Sequence, residues 1–178
     1  MSTPGILVAG IGNIFFGDDA FGSEVARQLL QLPRRDDVRV IDFGIRGLDL
    51  MYALGDGYEA VVLIDAVPRG EAPGTLFLLE PQLDNASADS APTLDAHSMD
   101  PMKVLASAAA MGPLPGKILI VGCEPSPSGD GEPEDGMEMR MTPAVEAAIE
   151  PAVEMVQEIV SRLLSGEMDK MISVPQPP

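Results

Sequence analysis

Short apolar runs alternate along the chain with stretches of helical periodicity. Ile6-Leu7-Val8-Ala9 leads into Gly10-Ile11-Gly12-Asn13, which predicts a buried strand ending at a glycine turn. After Asp18-Asp19, the apolar residues Phe21, Val25, Leu29 and Leu32 recur at helical spacing, and Pro33 closes the helix. Val38 to Gly44 predicts a second strand, and Leu48 to Leu54 a short helix stopped by Gly55-Asp56-Gly57. Ala60 to Val67 is the clearest strand; it is apolar on both faces, as in the centre of a parallel sheet covered by helices. Thr75 to Leu79 follows the turn Ala72-Pro73-Gly74, and Lys117 to Cys123 is the last strand, after a helix over Pro101 to Met111. Residues 81–98 and 124–141 are polar and aperiodic, and predict two long loops. Thr142-Pro143 predicts a helix start by N-cap and first-turn proline; the helix runs to about Leu164 with a kink at Pro151.

This alternation predicts an α/β fold of three layers, a mostly parallel sheet flanked by helices. The chain of 178 residues suits a single domain, expected over residues 1–165, with a frayed tail over 166–178. In open α/β sheets ligands bind beyond the carboxyl ends of the strands, so the two long loops mark the functional edge.

Charge and rare residues narrow the chemistry. With 11 Lys and Arg against 28 Asp and Glu, the formal charge is −17, which disfavours nucleic acid and anionic membrane surfaces as partners. One cysteine, Cys123, excludes a disulfide framework or a multi-thiolate zinc site within the chain, and one histidine, His97, excludes an HExxH zinc site. No basic segment precedes the first apolar run, and no apolar run reaches about 18 residues, so a soluble cytoplasmic protein is expected.

Three acids fall at strand ends. Asp19 follows the first strand, Asp42 lies near the end of the second, and Asp65 interrupts the apolar third. A carboxylate within Val-Val-Leu-Ile-Asp-Ala-Val is costly to bury unless it is hydrogen-bonded, paired or metal-bound; capping of a nearby amide is its bland alternative. Asp42, before Phe43-Gly44, suits a turn. Asp18 and Asp19 precede a helix that needs only one cap. His97 precedes another helix on the same edge, and two carboxylates with one imidazole suit a divalent metal with positions left open. Gly10-x-Gly12 lacks the third glycine of the dinucleotide fingerprint, and the acids after it repel a pyrophosphate. Cys123 has no nearby cation to lower its pKa and reads as a buried apolar residue.

The assembled segments resemble the hydrogenase maturation proteases, endopeptidases that process the large subunit of nickel-iron hydrogenases. The matching pieces are Gly10-Ile11-Gly12-Asn13-Ile14 with Asp18-Asp19-Ala20-Phe21-Gly22, then Asp42-Phe43-Gly44-Ile45-Arg46-Gly47-Leu48-Asp49-Leu50. They continue with Leu63-Ile64-Asp65-Ala66-Val67, Pro73-Gly74-Thr75, His97, Val121-Gly122-Cys123-Glu124-Pro125 and Thr142-Pro143-Ala144-Val145. The resemblance implies a twisted phosphorylase/hydrolase-like sheet and a monomer. It implies a substrate precursor already carrying nickel, from which a C-terminal extension is removed. It assigns metal contact and catalysis to Asp19, Asp65 and His97, and substrate recognition to Asp42, Gly44 and Gly47. Relatives often carry Glu where this chain has Asp19, and Gly-Thr-x-Gly where it has Gly44-Ile45-Arg46-Gly47. The competing expectations are a nickel-sensing metallochaperone without peptidase activity and a nucleotide- or flavin-binding module.

Overall fold

The computed structural model describes residues 5–83, 99–127 and 140–168. Five strands form one sheet: β1 (Ile6–Ile11), β2 (Val38–Gly44), β3 (Ala60–Ala66), β4 (Leu76–Leu79) and β5 (Lys117–Cys123). Their order is β2-β1-β3-β5-β4, with β4 antiparallel to β5 and every other pairing parallel. The helices are α1 (Phe21–Leu29), α2 (Gly47–Leu54), α3 (Pro101–Met111), α4 (Pro143–Glu146) and α5 (Ile149–Ser165), with a 3-10 turn over Gly17–Ala20.

Alternation along the strands feeds two separate cores. Val8, Val62, Ile64, Leu119 and Val121 pack on one face with Phe21 and Val25 of α1 and Val156 and Ile159 of α5. Leu7, Ala9, Val61, Leu63 and Ile120 pack on the other with Leu50 and Leu54 of α2 and Val104 and Leu105 of α3. The three layers and the mostly parallel sheet are those expected from the sequence.

Three local expectations need correction. The helix after Asp19 ends at Leu29, one turn short of Leu32, whose side chain is exposed. The helix opened by Thr142-Pro143 is not one rod bent at Pro151. It breaks at Ala147-Ala148, and Pro151 sits in the first turn of α5, where its missing N–H is not needed. Thr142 occupies the N-cap position of α4 without capping it; its hydroxyl is drawn instead to Asp18. At the other end, Gly166 closes α5 in the left-handed conformation (φ 71°), and Met168 packs into the α1–α5 core. The remainder of the expected tail lies outside the described residues.

The chain passes from β1 to β2 on one side and to β3 on the other. The strand order therefore reverses between β1 and β3, which opens a crevice beyond their carboxyl ends. Gly22, near the start of α1, closes that crevice from one face: a Cβ there would run into the carbonyl oxygens of Ile11 and Ile64. This close approach seats the turn that carries Asp18 and Asp19 directly over the ends of β1 and β3.

Candidate active site

Asp65 is the next-to-last residue of β3. Val61 and Leu63 face α2 and α3, so Asp65 projects to that side, at the crevice end of the strand. It is 6% exposed. Among the described residues its carboxylate accepts one hydrogen bond, from the N–H of Ala66 (2.9 Å). Burial holds its pKa well above the usual carboxylate range, the negative charges of Asp19 and Asp100 add to the rise, and the Ala66 N–H offsets part of it. Asp19 and Asp65, separated by 46 positions in sequence, thus act on one another electrostatically across the β1–β3 crevice.

Asp19 is exposed, and its carboxylate accepts the N–H of Asn13 (3.1 Å). Its neighbour Asp18 is turned inward and 1% exposed. Asp18 accepts the N–H of Ser126 (2.9 Å), the N–H of Thr142 (2.7 Å) and the Thr142 hydroxyl (3.0 Å). The two acids are therefore not duplicate caps; among the described residues neither the 3-10 turn nor α1 has a side-chain cap. One acid pins distant loops and the other faces the crevice.

The β2–α2 loop forms an adjoining wall. Asp42 accepts the N–H of Gly44 (3.0 Å), as its turn reading requires. Gly44 is in the left-handed region (φ 57°), and its carbonyl accepts the N–H of Gly12 (3.0 Å), tying this loop to the end of β1. Gly47 opens α2 and lies against Met99 and Val104. Asp100 caps α3 by accepting the N–H of Met102 (2.9 Å). His97, three residues before that cap, lies outside the described residues. Among the described residues no group of three or more His, Cys, Asp and Glu side chains is arranged to hold a metal ion. The structure brings Asp19 and Asp65 to one crevice and sets the Asp42–Gly47 loop beside it.

Two further acids hold this edge together. Besides Asp18, the buried Glu124 accepts the N–H groups of Arg69 (2.7 Å) and Gly70 (3.1 Å), anchoring the loop after β3. The doubled Asp18-Asp19 was a visible signal for the first; for Glu124 the sequence offered only an acid after a buried strand. Cys123, beside it, is fully buried, and burial together with the charges of Asp18 and Glu124 pushes its thiol up to about 12. It is inert packing, as expected. No helix among the described residues is long and apolar enough to cross a membrane.

The sequence and the fold are shared with known proteins. The sequence model of the HycI hydrogenase maturation protease family matches residues 23–159. The hydrogenase expression/formation protein HupD of Rhodobacter capsulatus is 34% identical over 123 residues, covering 67% of this chain and 57% of that relative. The hydrogenase 2 maturation protease of Escherichia coli is 32% identical over 145 residues, covering 80% of this chain and 82% of that one. The solved structure of the hydrogenase maturating endopeptidase HybD from E. coli superposes with a TM-score of 0.64 at 29% identity, covering 90% of this chain and 93% of that one. These likenesses favour the peptidase over a nickel-binding module lacking that activity. By sequence and by fold, the chain belongs to the hydrogenase maturation protease family, a family of endopeptidases.

Proposed function

We propose that this protein removes the C-terminal extension of a nickel-iron hydrogenase large-subunit precursor once that precursor carries nickel. Asp19, Asp65 and His97 hold the nickel held by the substrate's own thiolates, and the Asp42, Gly44 and Gly47 loop receives the peptide. The observation that carries this reading is the state of Asp65: a buried carboxyl at the strand-order reversal, facing a second carboxylate, with one hydrogen bond among the described residues. Such a placement is costly to the fold and suits a group kept for binding a ligand or a proton.

The chemistry follows from the donor set. Carboxylate and imidazole ligands suit nickel while leaving its substrate thiolates in place. Ligation requires the ionised carboxylate, and burial, which raises the pKa of Asp65, opposes ionisation, so engagement of the loaded precursor is coupled to pH through this group. A carboxylate of this pair, with or without a bound water, also supplies the acid–base group that amide cleavage needs. The high negative charge supports a protein partner over nucleic acid. Action as a cytoplasmic monomer completes the proposal.

The test is incubation of the purified protein with precursor, with and without nickel, followed by mass measurement of the large subunit. The nickel-loaded precursor loses its extension and the nickel-free one does not. Retention of the extension in both samples overturns the proposal, and loss in both overturns the role of nickel. Asp19→Ala and His97→Ala leave the fold intact and stop cleavage; normal processing by both variants removes these residues from the site.

A further inference from the structure

Beside the acidic crevice lies a cavity of about 290 Å³ between the loop after β1 and the loop after β2. Its walls include Ile14 and Phe15 from the first loop, Phe43 from the end of β2, and Ile45 and Arg46 from the second loop. This volume is at the low end of ligand pockets and suits a side chain rather than a whole small molecule. Its rim is unusually apolar for a chain of net charge −17: Ile14 is 53% exposed, Phe15 63% and Ile45 48%, with Phe16 and Leu48 exposed next to them. Leaving such side chains in water is unfavourable, and their clustering at one site marks a contact surface.

The walls are fixed rather than loose. Asn13 holds the first loop: its side-chain oxygen accepts the N–H of Phe15 (3.0 Å), and its own N–H is bonded to the Asp19 carboxylate (3.1 Å). The Arg46 guanidinium holds the second by donating to the carbonyls of Asp42 (2.6 Å) and Phe43 (3.2 Å) and to the Asp49 carboxylate (3.2 Å). The same Asn13 thus belongs to the cavity wall and touches the candidate catalytic acid.

We infer that this cavity is a specificity pocket that takes one apolar side chain of the precursor beside the cleaved bond, with Ile14, Phe15 and Ile45 as its contacts and Arg46 as the positioning residue of its wall. The occupant is set by location: a peptide whose bond lies over the Asp19–Asp65 crevice passes the Asn13 loop, and only an apolar side chain gains from entering between Ile14, Phe15 and Ile45. The inference rests on the peptidase reading above.

The test uses the full chain and nickel-loaded precursor. Phe15→Ser and Ile45→Lys raise the precursor concentration for half-maximal cleavage by about 10-fold or more, the range for losing one large apolar contact, and leave the saturated rate within about threefold. Arg46→Gln produces the same split with an unchanged melting temperature. Leu30→Ser, an exposed apolar site at the far end of α1, changes nothing. Replacing the apolar residue that flanks the cleaved bond with Asp impairs cleavage by the parent enzyme, and Ile45→Lys recovers at least tenfold of that loss. Unchanged half-saturation in both Phe15→Ser and Ile45→Lys, or indifference of the parent enzyme to Asp at every flanking position, overturns the pocket while leaving the peptidase intact. Absence of any cleavage by the parent enzyme overturns both.

Discussion

Asp18 and Asp65 are both buried carboxylates at the same end of the sheet, and they differ in what surrounds them. Asp18 accepts three hydrogen bonds, two from backbone N–H groups and one from a hydroxyl, brought in by loops 108 and 124 positions away in sequence. Among the described residues Asp65 accepts one, from its own chain neighbour, and it faces the charges of Asp19 and Asp100. Its three bonds tie Asp18 into the fold. Asp65, buried with its pKa raised, keeps its capacity to bind a ligand, and the fold bears the cost. Burial alone therefore does not separate a structural acid from a functional one; the groups that each acid meets do.

Substituting each acid separates the two roles in opposite directions. Asp65→Asn removes the carboxyl chemistry and the ligand, and cleavage of nickel-loaded precursor falls about a thousandfold, the range for losing an acid–base group. The same change relieves an unfavourable burial, and the melting temperature at pH 7 rises by ~2–4 °C, as expected for about 1 kcal/mol in a domain of this size. The parent protein also carries a pH signature. The folded chain holds the Asp65 proton to higher pH than the unfolded chain does. Its contribution to stability is therefore greatest below the ordinary Asp range and declines as pH rises through the shifted value. Thermal melts of parent and Asp65→Asn across acidic to neutral pH converge at the acid end; parallel curves would show that the carboxyl is not burdened in the fold. Asp18→Ala does the reverse. It strands the buried donors of Ser126 and Thr142 and costs about 3 kcal/mol, read as a fall of ~6–12 °C in melting temperature. Cleavage by the remaining folded protein falls far less than for Asp65→Asn.

The contrast also shows what a sequence can disclose. Strands such as Ala60–Ala66 and Lys117–Cys123 were legible because sheet burial imposes continuous apolar runs, and helix α3 because its proline and capping acid stand at its start. Asp65 was legible for the converse reason, as a charge where the pattern demands none. Asp18 was seen as an anomaly beside Asp19, but its purpose depended on Ser126 and Thr142, which no local pattern connects to it. The break before α5 is hidden for a related reason: Pro151 signals a disruption, and the chain resolves it by starting a new helix two residues upstream of the proline rather than bending an existing one. His97 was legible as the lone imidazole, and its place falls outside the described residues.

Thr142 tests the same contrast at smaller scale. Thr142→Val keeps the backbone N–H bond to Asp18 and deletes only the hydroxyl, so the loss is about 1 kcal/mol, or ~2–4 °C. Thr142→Ser retains the hydroxyl and recovers most of it. Equal melting temperatures for the two variants would show that the hydroxyl adds nothing beyond the backbone bond.

Cys123 gives the smallest effect and bounds the site from behind. It sits in the strand next to Asp65, its backbone paired with Ala66, yet its side chain enters the α1–α5 core on the opposite face of the sheet from Asp65. With its pKa pushed up to about 12, the thiolate is scarce near neutral pH, so iodoacetamide leaves the native protein unmodified and alkylates it once unfolded. Cys123→Ala then removes one buried sulfur, lowers the melting temperature by a few degrees and leaves precursor cleavage within about twofold. Rapid alkylation of the native protein, or a cleavage defect matching that of Asp65→Asn, would move the reactive chemistry across the sheet and away from the two aspartates. The geometry opposes this, because a thiol facing the α1–α5 core is separated from the crevice by the strand backbone itself.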